Sequence, residues 1–537
     1  MVVIKETVPA LREIYGKSFI SDVEKMSDVI GFSIEKENDE FRVEFNPDRP
    51  DLFSFSLLKR SIDIYQGKKE WQPIRVGEGT SDFNIENDVR SLRPYAIGFH
   101  CKGPRIGDHY RELIDYQEKL HLSIGKDRSK VSIGIHDERY LKFPLKYSSR
   151  KSGETRFTTY DKTLTASALD ILKKHPKGVE YAHLIPSKDL VPIIEDSEHR
   201  VLSMPPVVNG STTVVSEDTS AFFIDITGTD MRALKDAFFL LSYYFNSLDF
   251  EITESNIEDI RKFLNMDGRE ISVSMNEIKR ILGQEIGIDE CVTLLQKMGY
   301  GVRVEKVRIV AVVPGNRIDV MGPVDVIEDV AKAFGYGNLE LHMPDMDIIG
   351  AEAAGNQLAS NIRNIMTGLG YQEIMTYVVT TQENYRLAEY KGAVHIRNPK
   401  SLEFSMVRDR LYLGVLDFLR LNKRRNLPQA VFELGEIIID AEQQTNLCVA
   451  RIGSRSAFSD MKQVLDAIMT RTSLGEYIIR PTDHENFVNG RTGEIITMGQ
   501  CIGYVGEIHP ETIEQFELKN PVAMIEMNLS AVSSLLR

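Results

Sequence analysis

Apolar positions along this chain recur at two spacings, near 3.6 and near 2, and the alternation between them predicts a mixed α and β protein. Helical spacing runs through residues 8–15, 52–65, 108–122, 230–246, 275–282, 289–298, 323–334, 351–369 and 460–473. Pro9 and Pro323 suit first helical turns, Gly335 suits a helix stop, and Thr227-Gly-Thr-Asp230 suits the residues just before a helix. Short apolar or alternating runs predict strands at 41–45, 131–135, 211–215, 222–226 and 522–529, with alternation strongest near the end of the chain. The polar stretch Gly77-Glu-Gly-Thr-Ser-Asp82 reads as a linker. The expected organisation is therefore α+β and multidomain, with regions at 1–80, 90–255, 266–343 and 350–537.

At 537 residues the chain is too long for a single core. Hydrophobic content of 42% and charged content of 27% are ordinary for globular proteins. No apolar run approaches the roughly 20 residues of a membrane span, and the N-terminus lacks a signal-peptide layout, so a cytoplasmic protein is expected. Four scattered cysteines imply neither a zinc site nor a disulfide framework. A net charge of −14 argues against a general nucleic-acid coat. It leaves room for local basic patches, with Lys126, Arg128 and Lys130, or Arg420, Lys423, Arg424 and Arg425, as candidates. Each set reads more readily as a solvated face than as a binding site.

Two segments concentrate chemistry. In Arg317-Ile-Asp-Val-Met-Gly-Pro-Val-Asp-Val-Ile-Glu-Asp-Val330, the residues Val324, Ile327, Ala331 and Phe334 fall on one helical face. Asp325, Glu328 and Asp329 neighbour one another on a second face, and Asp319 lies within reach across the turn. An oxygen-only cluster suits Mg²⁺, whereas acids in a first turn also simply complement the helix dipole. Asn46-Pro-Asp-Arg-Pro-Asp51 contains two X-Pro steps and reads as a rigid turn fixed locally by Asp48, Arg49 and Asp51.

The acidic segment resembles the B5 signature of the phenylalanyl-tRNA synthetase beta-subunit family. The Asn46–Asp51 turn, residues 119–137, Gly490-Arg-Thr-Gly-Glu494 and Ile502-Gly-Tyr-Val-Gly-Glu-Ile-His-Pro510 resemble further family segments, in family order. The resemblance covers nearly the whole chain and is to the short archaeal or eukaryotic-type form, without the C-terminal anticodon-reading module of long bacterial relatives. It implies a B1-like domain at 1–80, a B3/B4-like editing domain at 90–255, a B5-like domain at 266–343 and a class II synthetase-like antiparallel sheet domain (B6/B7-like) at 350–537. It also implies that Asp319, Asp325, Glu328 and Asp329 hold a Mg²⁺ shared with an alpha subunit. Ser203-Met-Pro-Pro-Val-Val-Asn209 and Phe223-Ile-Asp-Ile-Thr-Gly228 resemble segments lining the editing site. Asp225 and Thr227 stand two apart on one strand and so share a face. They could orient a water and recognise a tyrosine hydroxyl, with Asn209 as a further polar contributor. The same residues also read as a helix start and a turn, and His136 and His199 read as structural or surface residues.

Region 350–537 lacks the Gly-x-Gly-x-Gly strand of class II adenylation, and no class I signature or P-loop is present. Arg408 and Arg410 are the one phosphate-binding candidate, in a segment where Asp409, Arg410 and Gly414 depart from the family pattern. The expected function is the beta subunit of phenylalanine–tRNA ligase in an α2β2 heterotetramer. ATP and phenylalanine would be engaged through the alpha subunit, with tRNA(Phe) as the shared substrate and mischarged tyrosyl-tRNA hydrolysed on this chain. The alternatives are a stand-alone tRNA-editing hydrolase and a structural tRNA-binding protein.

Overall fold

The computed structural model describes residues 2–77, 79–80, 82–255, 268–343, 349–388, 394–455, 457–472 and 474–535. Glu78 and Ser81 of the expected linker, and the final Leu536-Arg537, lie outside these. The chain divides into two compact units, Met1–Met343 and Pro344–Arg537. Among the described residues no helix is long and apolar enough to cross a membrane.

The first unit begins with a three-stranded sheet of Val2–Thr7, Glu40–Phe45 and Ser33–Glu37 in that spatial order. Helices Val8–Tyr15, Phe19–Ile30 and Phe55–Tyr65 follow in the same part of the chain. A five-stranded sheet comes next, ordered Val76–Gly77, Glu251–Glu254, Tyr95–Lys102, Ala221–Gly228 and Val131–Asp137. Its long partner helix, Met231–Ser247, starts at Asp230, whose carboxylate accepts from the Arg232 and Ala233 amides. One hydrophobic core runs from Ile4 to Ile252, so the N-terminal sheet and the five-stranded sheet are consolidated by the same apolar residues. A second five-stranded sheet is ordered Val208–Asn209, Val201–Met204, Leu190–Glu195, Leu145–Lys151 and Phe83–Ile85. The last part of the unit has its own core around strands Arg269–Ser274, Arg308–Val313 and Gly301–Glu305 and helices Met275–Leu282, Ile288–Lys297 and Pro323–Phe334.

The second unit is built on a seven-stranded sheet ordered Gln372–Glu373, Gln429–Ile439, Glu442–Ile452, Val522–Asn528, Gln500–Ile508, Phe487–Thr497 and Tyr477–Pro481. Every pairing is antiparallel except the first. Strand alternation sends the two sets of side chains to opposite faces and so to two cores. Helices Ala354–Gly368, Phe458–Arg471 and Leu529–Leu535 contribute to one, and helix Tyr412–Leu421 to the other.

Two sequence expectations are corrected. Residues 211–215, expected as a strand, contain the 3₁₀ turn Ser211–Thr213. On helix Pro323–Phe334 the buried face is Val326, Ile327, Val330 and Ala331, whereas Val324 is 63% exposed. The apolar stripe is rotated because Asp329 is buried too, its charge met from inside the fold.

Candidate functional site

Helix Tyr110–Leu122, strand Val131–Asp137 and the segment 203–215 enclose a cavity of about 190 Å³. For scale, a cavity of about 150 Å³ accommodates benzene. Ile114, Ile133, Ile135, Val207, Val208 and Val215 supply apolar wall. Ser132, His136, Ser203, Asn209 and Thr213 supply polar groups.

Cross-strand register explains how the central polar residues meet. Asp225 lies opposite Gly98 on one side and Gly134 on the other. A Cβ on Gly134 would stand 1.9 Å from Asp225 Oδ2, so the glycine makes room for the carboxylate. His136, two residues further, shares that face. His136 Nε2 lies 2.8 Å from Asp225 Oδ2, and His136 Nδ1 lies 2.7 Å from Thr213 Oγ1. All three side chains are buried.

Of the residues expected at this site, Asn209 lines the cavity, whereas Asp225 and Thr227 are not among its lining residues. Asp225 instead backs His136. Thr227 is held by Arg93, whose Nε donates to its hydroxyl at 3.0 Å and whose Nη2 donates to its carbonyl at 2.8 Å. Burial pulls the Arg93 guanidinium down to about 10, against Tyr147 and Asp225. His136, which reads as a structural or surface residue in the sequence, and Thr213, which carries no signal there, are both at the cavity. Only the pairing of residues 131–137 with 221–228, and the turn at 211–213, bring them together.

Another part of the wall is charged. Lys126, Asp127 and Arg128 all adopt positive φ, at 46°, 52° and 61°. That run is costly for L residues, and it turns Arg128 inward. Its Nη1 donates to the carbonyls of Pro206 and Val207, its Nη2 donates to Glu118, and its guanidinium lies 4.5 Å from the Tyr181 ring centre. Burial opposes ionisation of Glu118, but His121 and Arg128 outweigh it and hold the carboxyl down at about 2. Arg128 thus belongs to the cavity wall and not to an exposed basic patch, and Lys130 pairs with Asp230. His199 is a surface residue.

The acidic segment is partnered differently from its expected use. Asp319 accepts from Arg317 Nε at 2.9 Å, and Asp329 accepts from Arg317 Nη2 at 2.6 Å and from the Tyr300 hydroxyl at 2.6 Å. Arg49 forms a two-pronged pair with Asp51 and also approaches Asp319 at 3.9 Å. Burial opposes ionisation of Asp319, yet Arg317 and Arg49 keep its carboxyl below the ordinary range. Asp325 accepts from the Met321 and Gly322 amides at the helix start, and Glu328 pairs with Lys332. As oxygen donors the four suit Mg²⁺, but this arrangement does not: the Arg317 guanidinium already binds Asp319 and Asp329 together. Among the described residues no three His, Cys, Asp or Glu side chains gather to hold an ion.

In the second unit, Arg408 is buried against Glu433 at 2.7 Å, and its Nε donates to the Glu436 carbonyl. Arg410 pairs with Asp409 and lies over Tyr412. These arginines are engaged internally.

A largely antiparallel sheet domain whose described arginines are engaged internally, in a chain that also carries a helix with the acidic signature, defines a class. The family model for the tRNA synthetase B5 domain matches residues 271–336, and that for the phenylalanyl tRNA synthetase beta chain CLM domain matches residues 339–529. Both place the chain among components of aminoacyl-tRNA ligases. The phenylalanine–tRNA ligase beta subunit of Thermoplasma volcanium is 38% identical over 98% of both chains. That of Archaeoglobus fulgidus is 33% identical over 94% of both. The crystal structure of an N-terminal fragment of the phenylalanyl-tRNA synthetase beta subunit from Pyrococcus horikoshii matches with a TM-score of 0.56 and 28% identity, covering 62% of this chain and 99% of the fragment. The chain belongs to the phenylalanine–tRNA ligase beta subunit family and is a subunit of an aminoacyl-tRNA ligase.

Proposed function

We propose that this chain assembles with a catalytic alpha subunit as an α2β2 phenylalanine–tRNA ligase in the cytoplasm, and that its first unit hydrolyses tyrosyl-tRNA(Phe). The observation that carries the hydrolytic reading is the cavity lined by His136, Thr213 and Asn209 within an apolar wall. Its volume suits an aromatic side chain. A synthetic site that accepts the phenylalanine ring cannot strongly reject one carrying an added hydroxyl, so a second site raises fidelity. ATP and phenylalanine are bound on the alpha subunit in this reading, because Arg408 and Arg410 are committed to Glu433 and Asp409.

The partner surface is supported by Met375, Tyr377 and Leu402 of the second unit, which are 91%, 78% and 85% exposed. Exposed large apolar side chains of this kind favour a bound subunit over a stand-alone hydrolase. Gel filtration with and without the alpha subunit tests this: co-elution is expected, and separate elution sinks it. The purified chain alone should give no phenylalanine-dependent ATP–pyrophosphate exchange. Tyrosyl-tRNA added to the assembled enzyme should be deacylated, and the change Asp225→Ala with Thr227→Val should make it accumulate.

A Mg²⁺ shared with the alpha subunit at Asp319, Asp325, Glu328 and Asp329 is part of the same proposal. It requires Arg317 to release Asp319 and Asp329, and Asp325 and Glu328 to leave their present partners, on assembly. Asp325→Asn with Glu328→Gln should then make tetramer formation indifferent to EDTA. Parent-like EDTA sensitivity in that double variant returns the two acids to a helix cap and a surface pair.

A further inference from the structure

We propose that Thr213, His136 and Asp225 form a proton relay, in which Thr213 passes a proton from a cavity water to His136 during ester hydrolysis. This rests on the hydrolytic reading above and specifies which atoms act.

An ionised carboxylate only accepts hydrogen bonds. Asp225 Oδ2 therefore fixes the proton on His136 Nε2, which leaves Nδ1 as an acceptor. The Thr213 hydroxyl is 2.7 Å from that nitrogen and donates to it. Both ring nitrogens are thus engaged, and the imidazole can exchange a proton with the cavity only through Thr213, which lines it. Bonding to Nδ1 uses the hydroxyl proton and leaves oxygen lone pairs to accept from water. The 3₁₀ turn Ser211–Thr213 is brought close by Gly210, where a Cβ would stand 2.5 Å from the Val201 carbonyl oxygen.

The chemistry balances without a further reactant. Water attacks the tyrosyl ester carbonyl and gives one proton to Thr213 Oγ1, as the threonine's own proton moves to His136 Nδ1. Asp225 stabilises the imidazolium that results. On collapse, the bond from carbonyl carbon to ribose oxygen breaks, and the proton returns along the same path to the departing ribose oxygen. Tyrosine and tRNA with a free hydroxyl are the products. Thr213 is the catalytic residue by contact, and His136 and Asp225 act through it.

The test uses the assembled enzyme and tyrosyl-tRNA. Thr213→Val keeps the shape and removes the hydroxyl, so deacylation kcat should fall about 100-fold or more, the typical contribution of general base catalysis, with KM little changed. Thr213→Ser should restore most of it. Asp225→Asn removes the negative charge that stabilises the imidazolium, so it too should lose hydrolysis and flatten the pH profile. A merely structural role for these residues would change stability and leave the pH profile of the remaining activity as in the parent. Parent-like kcat in Thr213→Val overturns the relay while the hydrolase stands. Should Thr213→Val fail to fold, parent-like hydrolysis and pH profile in Asp225→Asn overturn it instead. Intact tyrosyl-tRNA after incubation with the parent enzyme overturns the hydrolase and the relay with it.

Discussion

Both units bury polar side chains, but the cavity of the first uses them differently from the core of the second. In the first, His136, Thr213 and Asn209 line a cavity, and Asp225 and Arg93 support the strand behind it. In the second, polar groups close on one another. Arg408 and Glu433 form a pair that is 5% and 1% exposed. Glu526 accepts from the Leu411 and Tyr412 amides, from Asn446 and from the Tyr504 hydroxyl, clamping the start of helix Tyr412–Leu421 onto strand Val522–Asn528. Burial pushes the Glu526 carboxyl above its ordinary range despite these donors. A buried polar group completed by the fold specifies shape, whereas one that faces a cavity retains bonding capacity for a ligand.

That contrast yields a graded set of expectations. The largest effect belongs to the second unit. Glu433→Ala leaves Arg408 buried without its carboxylate and should cost about 3–5 kcal/mol, read by urea unfolding. A loss below about 1 kcal/mol would show that this interior is open to water after all. Glu526→Ala comes next, at about 2–3 kcal/mol, because buried amides at the helix start lose their acceptor. Its sign with pH is specific. Glu526 has a raised carboxyl in the fold, so its contribution is fullest below the unfolded value of about 4.3 and is lost as pH rises through the folded one. Glu526→Gln should remove that dependence.

Within the cavity, Asn209→Ala should lower tyrosyl-tRNA deacylation about tenfold, equivalent to about 1.4 kcal/mol, with little change in the unfolding midpoint. A shift in stability with unchanged hydrolysis would place Asn209 with the groups that only specify shape. The smallest effect is at Glu118. Its carboxyl is held down at about 2, so its contribution is present above the unfolded value of about 4.3 and fades as pH falls through about 2. Glu118→Gln should lower neutral stability by less than about 1 kcal/mol, because the carboxylate is partly exposed, and flatten acid unfolding across that window.

Local signals carried much of this protein. Helix Met275–Leu282, the strand containing Phe222–Ile226 and the helix that begins after Asp230 follow from periodicity and capping, which depend on neighbours in the chain. The acidic signature, with further family-like segments in order, pointed to the family, since those are properties of residue type and spacing. Other features required the third dimension. Arg128, which looked like one of three surface cations, turns inward through a left-handed run whose cost only its buried partners offset. Asp329 faces Arg317 and Tyr300, a choice set by which charges the fold brings inside. His136 meets Asp225 and Thr213 across separations of 89 and 77 residues. Spacing along a chain records which side chains share a face. Which faces meet, and so which polar atoms are completed and which are left toward a cavity, is decided by strand register and packing.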